Sequence, residues 1–149
     1  MRALLDVNVL VALLDRTHLH HRVATDWLAA NVSRGWASCP LTQNGCMRIL
    51  SLPSYRNAQS PSAVADRLGQ ATGNQSHEFW PDSVSVVEKG RLHWDRVLSS
   101  RQITDVYLLA LAVARGGRLV TLDRSIAIEA VPGAVAKHLL VLGSARPSR

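Results

Sequence analysis

Cysteine is scarce in this chain, since only Cys39 and Cys46 occur among 149 residues. Two cysteines cannot build a disulfide framework, and their spacing fits no common pair of zinc ligands. We therefore expect two buried free thiols.

Long apolar runs are also missing, because no stretch of about 18 or more uncharged apolar residues is present. The sequence thus predicts no membrane-spanning helix. The amino-terminal stretch carries one basic residue, Arg2, and has no small-residue cleavage site, so we do not expect a signal peptide. Hydrophobic residues make up 47% of the chain and charged residues 19%, which excludes a disordered chain. We expect a cytoplasmic, soluble protein.

Acidic residues are outnumbered, with 11 Asp and Glu against 17 Lys and Arg, for a net charge of +6. This balance suggests a polyanionic partner such as nucleic acid, although a generic solubilising surface would carry the same charge. No acid lies between Asp26 and Asp66, whereas Arg34, Arg48 and Arg56 do. We expect that stretch to present a positive face.

Short apolar segments alternate with segments of helical periodicity. Strands are predicted at residues 2–9, 36–39, 77–80, 119–122 and 139–142. Helices are predicted up to residue 14, after Thr17, at 41–50, after Ser60 up to 72, at 92–98, and at 105–115 after Thr104. This alternation predicts an α/β fold with a mainly parallel sheet covered on both faces. We expect one domain at 1–143 and a basic carboxyl-terminal tail at 144–149.

Three acids occupy positions that this fold makes significant. Asp6 and Asp123 follow predicted strands, and Asp105 opens the helix that leads into the strand before Asp123. Ligands of such sheets bind beyond the carboxyl ends of the strands. Three carboxylates at one edge repel one another unless a cation neutralises them, and oxygen ligands favour Mg²⁺ or Mn²⁺. A bound ion of this kind can activate water to attack a phosphodiester. For Asp105, the residues alone leave open that its charge only complements the helix dipole.

Four segments, in their order along the chain, resemble the PIN domain and more narrowly the VapC toxins of bacterial toxin–antitoxin pairs. They are LLDVNVLVALL, PLTQNGCMRIL, QITDVYLLALA and LVTLDRSIA. The resemblance implies a Rossmann-like α/β/α sandwich and RNA cleavage that depends on Mg²⁺ or Mn²⁺. It also implies a homodimer and inhibition by a small cognate antitoxin of the VapB type.

The resemblance also assigns roles to individual residues. Asp6, Asp105 and Asp123 match the acids that bind the metal and support catalysis in the family. Gln43 stands where many members have glutamate, so this chain offers three carboxylates instead of four, and a second metal is in question. Arg48 is a candidate contact for an RNA phosphate, and a plain surface charge would explain it equally well.

Two other functions stay open from the sequence. A degenerate PIN-like module could bind RNA or an antitoxin with weak or no catalysis, which the neutral Gln43 would favour. A DNA nuclease of the same fold is less well supported, because the chain lacks the insertions of those larger enzymes. The sequence does not name the RNA.

Other conspicuous side chains fit structural roles better than chemical ones. His20 and His21 are successive residues and point apart on a helix, which argues against a shared zinc ion. Trp36, Trp80 and Trp94 are expected in the core. Trp27 is expected in the core or at a dimer interface.

Overall fold

The computed structural model of the chain describes residues 1–143, so the predicted tail at 144–149 lies outside the described residues. Its centre is a sheet of five strands in the order β3-β2-β1-β4-β5. The strands are β1 (Ala3–Leu5), β2 (Trp36–Ser38), β3 (His77–Phe79), β4 (Arg118–Thr121) and β5 (Leu139–Val141). The helices are α1 (Val7–Leu14), α2 (His21–Asn31), α3 (Pro40–Leu50), α4 (Pro61–Thr72) and α5 (Gln102–Ala114). The α/β prediction is confirmed, and the sheet is parallel throughout rather than mainly.

Two apolar clusters cover the two faces of the sheet. Leu4, Ala37 and Leu119 belong to the cluster on the α5 face. Their neighbours along the strands, such as Leu5 and Val120, belong to the cluster beneath α1, α2, α3 and α4. Successive strand residues point to opposite faces, so a strand buried on both sides is apolar at every position. This is why the central strands β1 and β4 were recognisable as short, mostly apolar runs. Among residues 1–143, no helix is long and apolar enough to cross a bilayer.

Glycine permits two close approaches, one at the carboxyl edge of the sheet and one at its amino edge. A Cβ atom at Gly45 of α3 would lie 2.7 Å from Cγ2 of Val7, so α3 packs tightly against the start of α1. A Cβ atom at Gly117 would lie 2.5 Å from the carbonyl oxygen of Arg2, in the turn between α5 and β4. The preceding Gly116 has φ of +67°, a conformation that favours glycine. This tight turn sends α5 antiparallel to β4, so α5 begins at the carboxyl edge.

Several predicted boundaries were wrong for local reasons. The first strand ends at Leu5 rather than residue 9, because Asp6 caps α1. Thr17 does not cap α2, which begins at His21; its hydroxyl donates instead to Oδ1 of Asp15, 2.8 Å away. Thr104 lies inside the first turn of α5, which begins at Gln102.

The predicted helix at 92–98 is reduced to a single 3₁₀ turn, Trp94–Arg96. Trp94 is 46% exposed, so its prediction as a core residue was wrong, whereas Trp36 and Trp80 are buried as expected. Cys39 and Cys46 are buried free thiols, as their scarcity suggested. The histidines make local contacts: Nδ1 of His21 lies 2.7 Å from the carbonyl oxygen of Ala12.

Candidate active site

Asp6 lies at the centre of the carboxyl edge, directly after β1. Its Oδ1 accepts a hydrogen bond of 2.7 Å from the backbone N–H of Val7, which makes it the N-cap of α1. Its side chain is buried, and burial raises its pKa, while the hydrogen bonds from Thr121 and Val7 oppose that rise. The nearby charge of Asp123 raises the pKa further. Asp6 is thus a buried carboxylate held in place by two protein donors.

Thr121, the last residue of β4, holds this site together through one hydroxyl group. Its Oγ1 donates to Oδ2 of Asp6 over 2.7 Å. The same oxygen accepts from the backbone N–H of Asp123 at 3.0 Å and from Nδ2 of Asn8 at 3.3 Å. A hydroxyl has one donor and two acceptor positions, so this hydroxyl is fully used. It fixes the position of Asp6 relative to the start of the Asp123 turn.

Asn8 and Ser125 complete the framework around the acids. Oδ1 of Asn8 accepts from the backbone N–H of Leu122 at 3.1 Å, which ties α1 to the end of β4. Oδ1 of Asp123 accepts from the backbone N–H and the hydroxyl of Ser125, at 2.8 and 2.7 Å. These two bonds from Ser125 are the main reason that the pKa of Asp123 is lowered. Oδ1 of Asp123 is therefore occupied by its two hydrogen bonds with Ser125.

Asp105 approaches the other two acids from the first turn of α5. Partial burial raises its pKa to about 6, and the charges of Asp6 and Asp123 contribute to the rise. A proton shared with Asp123 adds to it and lowers the pKa of Asp123 in turn. The structure therefore brings the three predicted acids into mutual electrostatic contact.

No protein cation balances these acids, because none of the ion pairs formed within residues 1–143 includes Asp6, Asp105 or Asp123. Arg124 follows Asp123 directly, but its guanidinium donates to the carbonyl oxygen of Gly143 at 3.0 Å. An all-oxygen set with surplus negative charge suits a hard divalent cation such as Mg²⁺.

The carboxylates do not form a closed cage. Across the described part of the chain, no three acidic, histidine or cysteine side chains are arranged so that they would enclose a metal ion. The oxygens of Asp6 face Thr121 and Val7, and one oxygen of Asp123 faces Ser125. Magnesium commonly binds to one or two carboxylates and keeps several waters, so an open set of this kind fits it better than a complete cage would.

Gln43 lies in the first half of α3, beside the end of β2. Its Nε2 donates to Oγ of Ser38 over 3.0 Å, and that hydroxyl lies 2.8 Å from Nε2 of His77. The side-chain amide is thus tied to a neutral hydrogen-bond network.

Arg48 is exposed near the end of α3. Arg34 is exposed as well, but it precedes β2 and so lies toward the amino edge of the sheet, away from the acids.

Sequence reasoning missed Thr121, Asn8 and Ser125. Residues 119–122 were interpreted as a plain buried strand, although a hydroxyl two positions before Asp123 is a polar interruption in it. The spacing Asp-Arg-Ser at 123–125 is also the pattern of an Asx turn, in which the first carboxylate accepts from the residue two positions on. Both signals were present in the sequence.

Sequence comparisons support the resemblance. The family model described as "PIN domain" matches residues 3–131. Ribonuclease VapC44 of Mycobacterium tuberculosis is 51% identical over 142 residues, which cover 95% of this chain and 100% of that protein. Ribonuclease VapC39 of the same organism is 42% identical over 136 residues, covering 91% of this chain and 98% of that protein.

Solved structures share the fold at low sequence identity. The VapBC2 structure from Rickettsia felis, bound to a DNA fragment from the promoter of that pair, aligns with a TM-score of 0.64 and 15% identity. The alignment covers 95% of this chain and 99% of that one. VapC20 of M. tuberculosis, a toxin that cleaves the sarcin-ricin loop, aligns with a TM-score of 0.54 and 12% identity, over 78% of this chain and 85% of that one. At these identities the two structures bear on the fold alone.

Proposed function

This chain belongs to the PIN-domain family, and from that premise we propose that it acts as an RNA endonuclease of the VapC type, the toxin of a toxin–antitoxin pair. Relatives that are 42–51% identical and cover more than nine-tenths of this chain are named ribonucleases. The observation that carries the proposal is the group of Asp6, Asp105 and Asp123 at one edge, with no protein cation beside it among residues 1–143. We also propose a cytoplasmic site of action.

The three acids would divide the work according to their surroundings. Asp6 and Asp123, held by Thr121 and Ser125, would ligate Mg²⁺ or Mn²⁺. Asp105 would ligate the ion as well, or position the attacking water through a hydrogen bond. When bound, the ion supplies an activated water and offsets the negative charge of the phosphodiester. Asp6 is already fixed in orientation, so little reorganisation is needed on binding.

The partners follow from the family. We propose RNA as the substrate, a small cognate antitoxin of the VapB type as the inhibitor, and a homodimer as the resting form. The high positive charge of the chain, +6, favours an RNA ligand. Sedimentation velocity of the purified chain, alone and with the product of the neighbouring gene, tests both protein partners. A monomer that binds no such product would contradict this part of the proposal.

The chemistry is tested by the ends of the RNA products. Attack by a metal-activated water at phosphorus should leave 5′-phosphate and 3′-hydroxyl ends, and cleavage should stop when the metal is chelated. A ribonuclease that uses the ribose 2′-hydroxyl would instead leave 2′,3′-cyclic phosphates. Cyclic ends that persist in chelator would contradict the mechanism.

A non-catalytic binding module is the second candidate, and Gln43 is the feature that favours it, since it removes one charge from the family's acidic set. The same assay separates the two. Binding of RNA with no cleavage in Mg²⁺ or Mn²⁺ would support the module.

A further inference from the structure

An open groove of about 320 Å³ lies beside Asp105, on the α5 face of the carboxyl edge. Its apolar walls come from three segments: Leu41 from the start of α3, Ile103 from the start of α5, and Val84 with Val86 from the chain after β3. Leu41 is 36% exposed and Ile103 43% exposed, which leaves a contiguous apolar surface open to solvent. Its volume falls at the lower end of the roughly 300–1,000 Å³ typical of small-molecule pockets.

Two polar groups interrupt this apolar lining. Tyr107 is nine-tenths buried, and its hydroxyl has no hydrogen-bond partner within residues 1–143. Asp82 is exposed at the same groove. Burial raises the pKa of Tyr107 most, followed by a side-chain contact between its hydroxyl and Asp82 and then by the charge of Asp82, so the carboxylate approaches the hydroxyl without the geometry of a full hydrogen bond. A buried hydroxyl whose hydrogen bonding is incomplete is unfavourable, so a ligand that completes it would be favoured. The groove therefore combines flat apolar walls with a hydroxyl and a carboxylate.

The apolar walls, the carboxylate and the hydroxyl together exclude a phosphate group and favour a nucleobase. The carboxylate of Asp82 repels phosphate, so the groove is not a second site for the RNA backbone. A nucleobase has two apolar faces and an edge that carries N–H donors. Apolar and aromatic side chains take up splayed-out bases of single-stranded RNA, and carboxylates accept from exocyclic amines such as that of cytosine.

The position of the groove also supports a nucleobase as its ligand. Ile103 and Thr104, which line it, immediately precede Asp105, so the groove adjoins the acids that we assign to phosphodiester cleavage. A nucleotide whose phosphate is held at the acids would place a neighbouring base within reach of the groove.

We propose that this groove binds the base of a nucleotide next to the scissile phosphate, and that Asp82 and Tyr107 select bases with an exocyclic amine, which are adenine, cytosine and guanine, over uracil. The inference rests on the proposed ribonuclease function. A second copy of the chain is a weaker fit to the groove, because a buried apolar interface would leave the carboxylate and the hydroxyl without partners.

The test compares cleavage of short RNAs that differ only in the bases beside the cut. The parent protein should show a preference in kcat/KM of about 10-fold for an amine-bearing base at one position, the size of one good polar contact to a base. Asp82→Asn and Tyr107→Phe should each remove most of that preference, by lowering kcat/KM for the amine-bearing substrates toward the value for the uracil substrate. Asp26→Asn is the matched control, since it removes the same charge from α2, where Asp26 pairs with Arg22. Thermal melts check that all variants fold.

A binding measurement keeps this inference separate from the catalytic one. Fluorescence anisotropy of the same RNAs on the Asp123→Asn variant should show the same order of preference, and Asp82→Asn added to it should abolish that order. If the parent cleaves no RNA but the anisotropy preference appears and depends on Asp82, the groove stands and the ribonuclease function fails. Cleavage without any base preference, or a preference that survives both groove variants, would overturn the groove. If Asp82→Asn or Tyr107→Phe sediments as a monomer where the parent is a dimer, and its base preference is intact, the base-binding groove is overturned in favour of an interface between two copies of the chain.

Discussion

The carboxyl edge of the sheet has two unlike regions, and the contrast explains where charge is placed. The centre, where β1 and β4 end, carries Asp6, Asp105 and Asp123, which raise or lower one another's pKa values. The neighbouring region around β2 carries Gln43 and Ser38, which form a neutral network with His77. Between these two regions, the negative charge is therefore concentrated in the centre.

The neutral network runs continuously from Gln43 through Ser38 to His77. The amide of Gln43 donates to Ser38, which leaves the hydroxyl of Ser38 free to donate to Nε2 of His77. Burial lowers the pKa of His77, which favours the neutral ring that can accept this bond. A carboxylate at position 43 could not donate to Ser38. The glutamine is thus matched to its neighbours, and the comparison predicts one cation site, at the centre.

The largest effect is expected from a change in the charged centre. Asp105→Asn should lower kcat/KM for RNA cleavage by more than about 100-fold, beyond the 10–100-fold typical of losing a residue that only supports a metal ligand. Metal-dependent cleavage rates at saturating Mn²⁺ measure it. Asp66→Asn, an exposed acid on α4, is the control and should behave like the parent. Parent-like cleavage by Asp105→Asn would show that Asp105 is outside the site.

The second-largest effect is expected from removing the hydroxyl of Thr121, which holds the charged centre together. Thr121→Val keeps the shape of the side chain but leaves Nδ2 of Asn8 and the N–H of Asp123 without their acceptor. We expect a loss of about 1–3 kcal/mol in the free energy of unfolding and a drop in cleavage of about 10–100-fold. Urea unfolding and initial rates measure the two effects. Thr121→Ser should restore both, and a Val variant as stable and active as the Ser variant would contradict the role of this hydroxyl.

Gln43→Glu adds a negative charge to the neutral region around β2 and so makes the two regions more alike. A unit charge about 4 Å from another interacts by roughly 4 kcal/mol at an effective dielectric of about 20, before desolvation is subtracted. A surviving gain of about 1 kcal/mol would tighten Mn²⁺ binding several-fold. Calorimetric titration of Mn²⁺ measures it, with Gln70→Glu on the exposed side of α4 as the control. Equal Mn²⁺ affinity in parent and Gln43→Glu would place Gln43 outside the reach of the metal.

The smallest effect concerns a charge outside both regions. If Arg48 contacts an RNA phosphate, Arg48→Ala should weaken RNA binding for all sequences and reduce the slope of log K against log salt by about 1. Anisotropy at several salt concentrations measures it. Arg34→Ala, toward the opposite edge, should leave the slope unchanged, and an unchanged slope in Arg48→Ala too would leave Arg48 as a plain surface charge.

The same contrast shows what the sequence could and could not predict. Apolar runs and helical periodicity were enough for the α/β fold, and the carboxyl-edge rule was enough to bring Asp6 and Asp123 together, because strand ends are local features. Thr121 was missed because its role depends on Asn8, more than a hundred residues away in sequence. The groove at Tyr107 was missed for a similar reason: it joins three segments that only the folded chain brings together. The helix predicted at 92–98 was wrong, because that segment forms only the 3₁₀ turn Trp94–Arg96.

The central claim is that Asp6, Asp105 and Asp123 form one repelling set that a cation relieves, and the stability of Asp105→Asn tests it most directly. The raised pKa of Asp105, about 6, means that the folded protein holds this proton to higher pH than the unfolded chain does. The stability that this bound proton contributes is therefore lost as the pH rises from about 4 to 6 in chelator. Asp105→Asn should not lose stability in this way, because its side chain does not ionise. Discounted for partial exposure, the gain at pH 7 is about 1 kcal/mol.

The measurement is thermal and urea unfolding of the parent and Asp105→Asn at pH 7, in chelator and in Mn²⁺. We predict that the variant is the more stable protein in chelator, and that Mn²⁺ raises the Tm of the parent by more than that of the variant. A variant that is less stable than the parent in chelator and responds equally to Mn²⁺ would contradict the account.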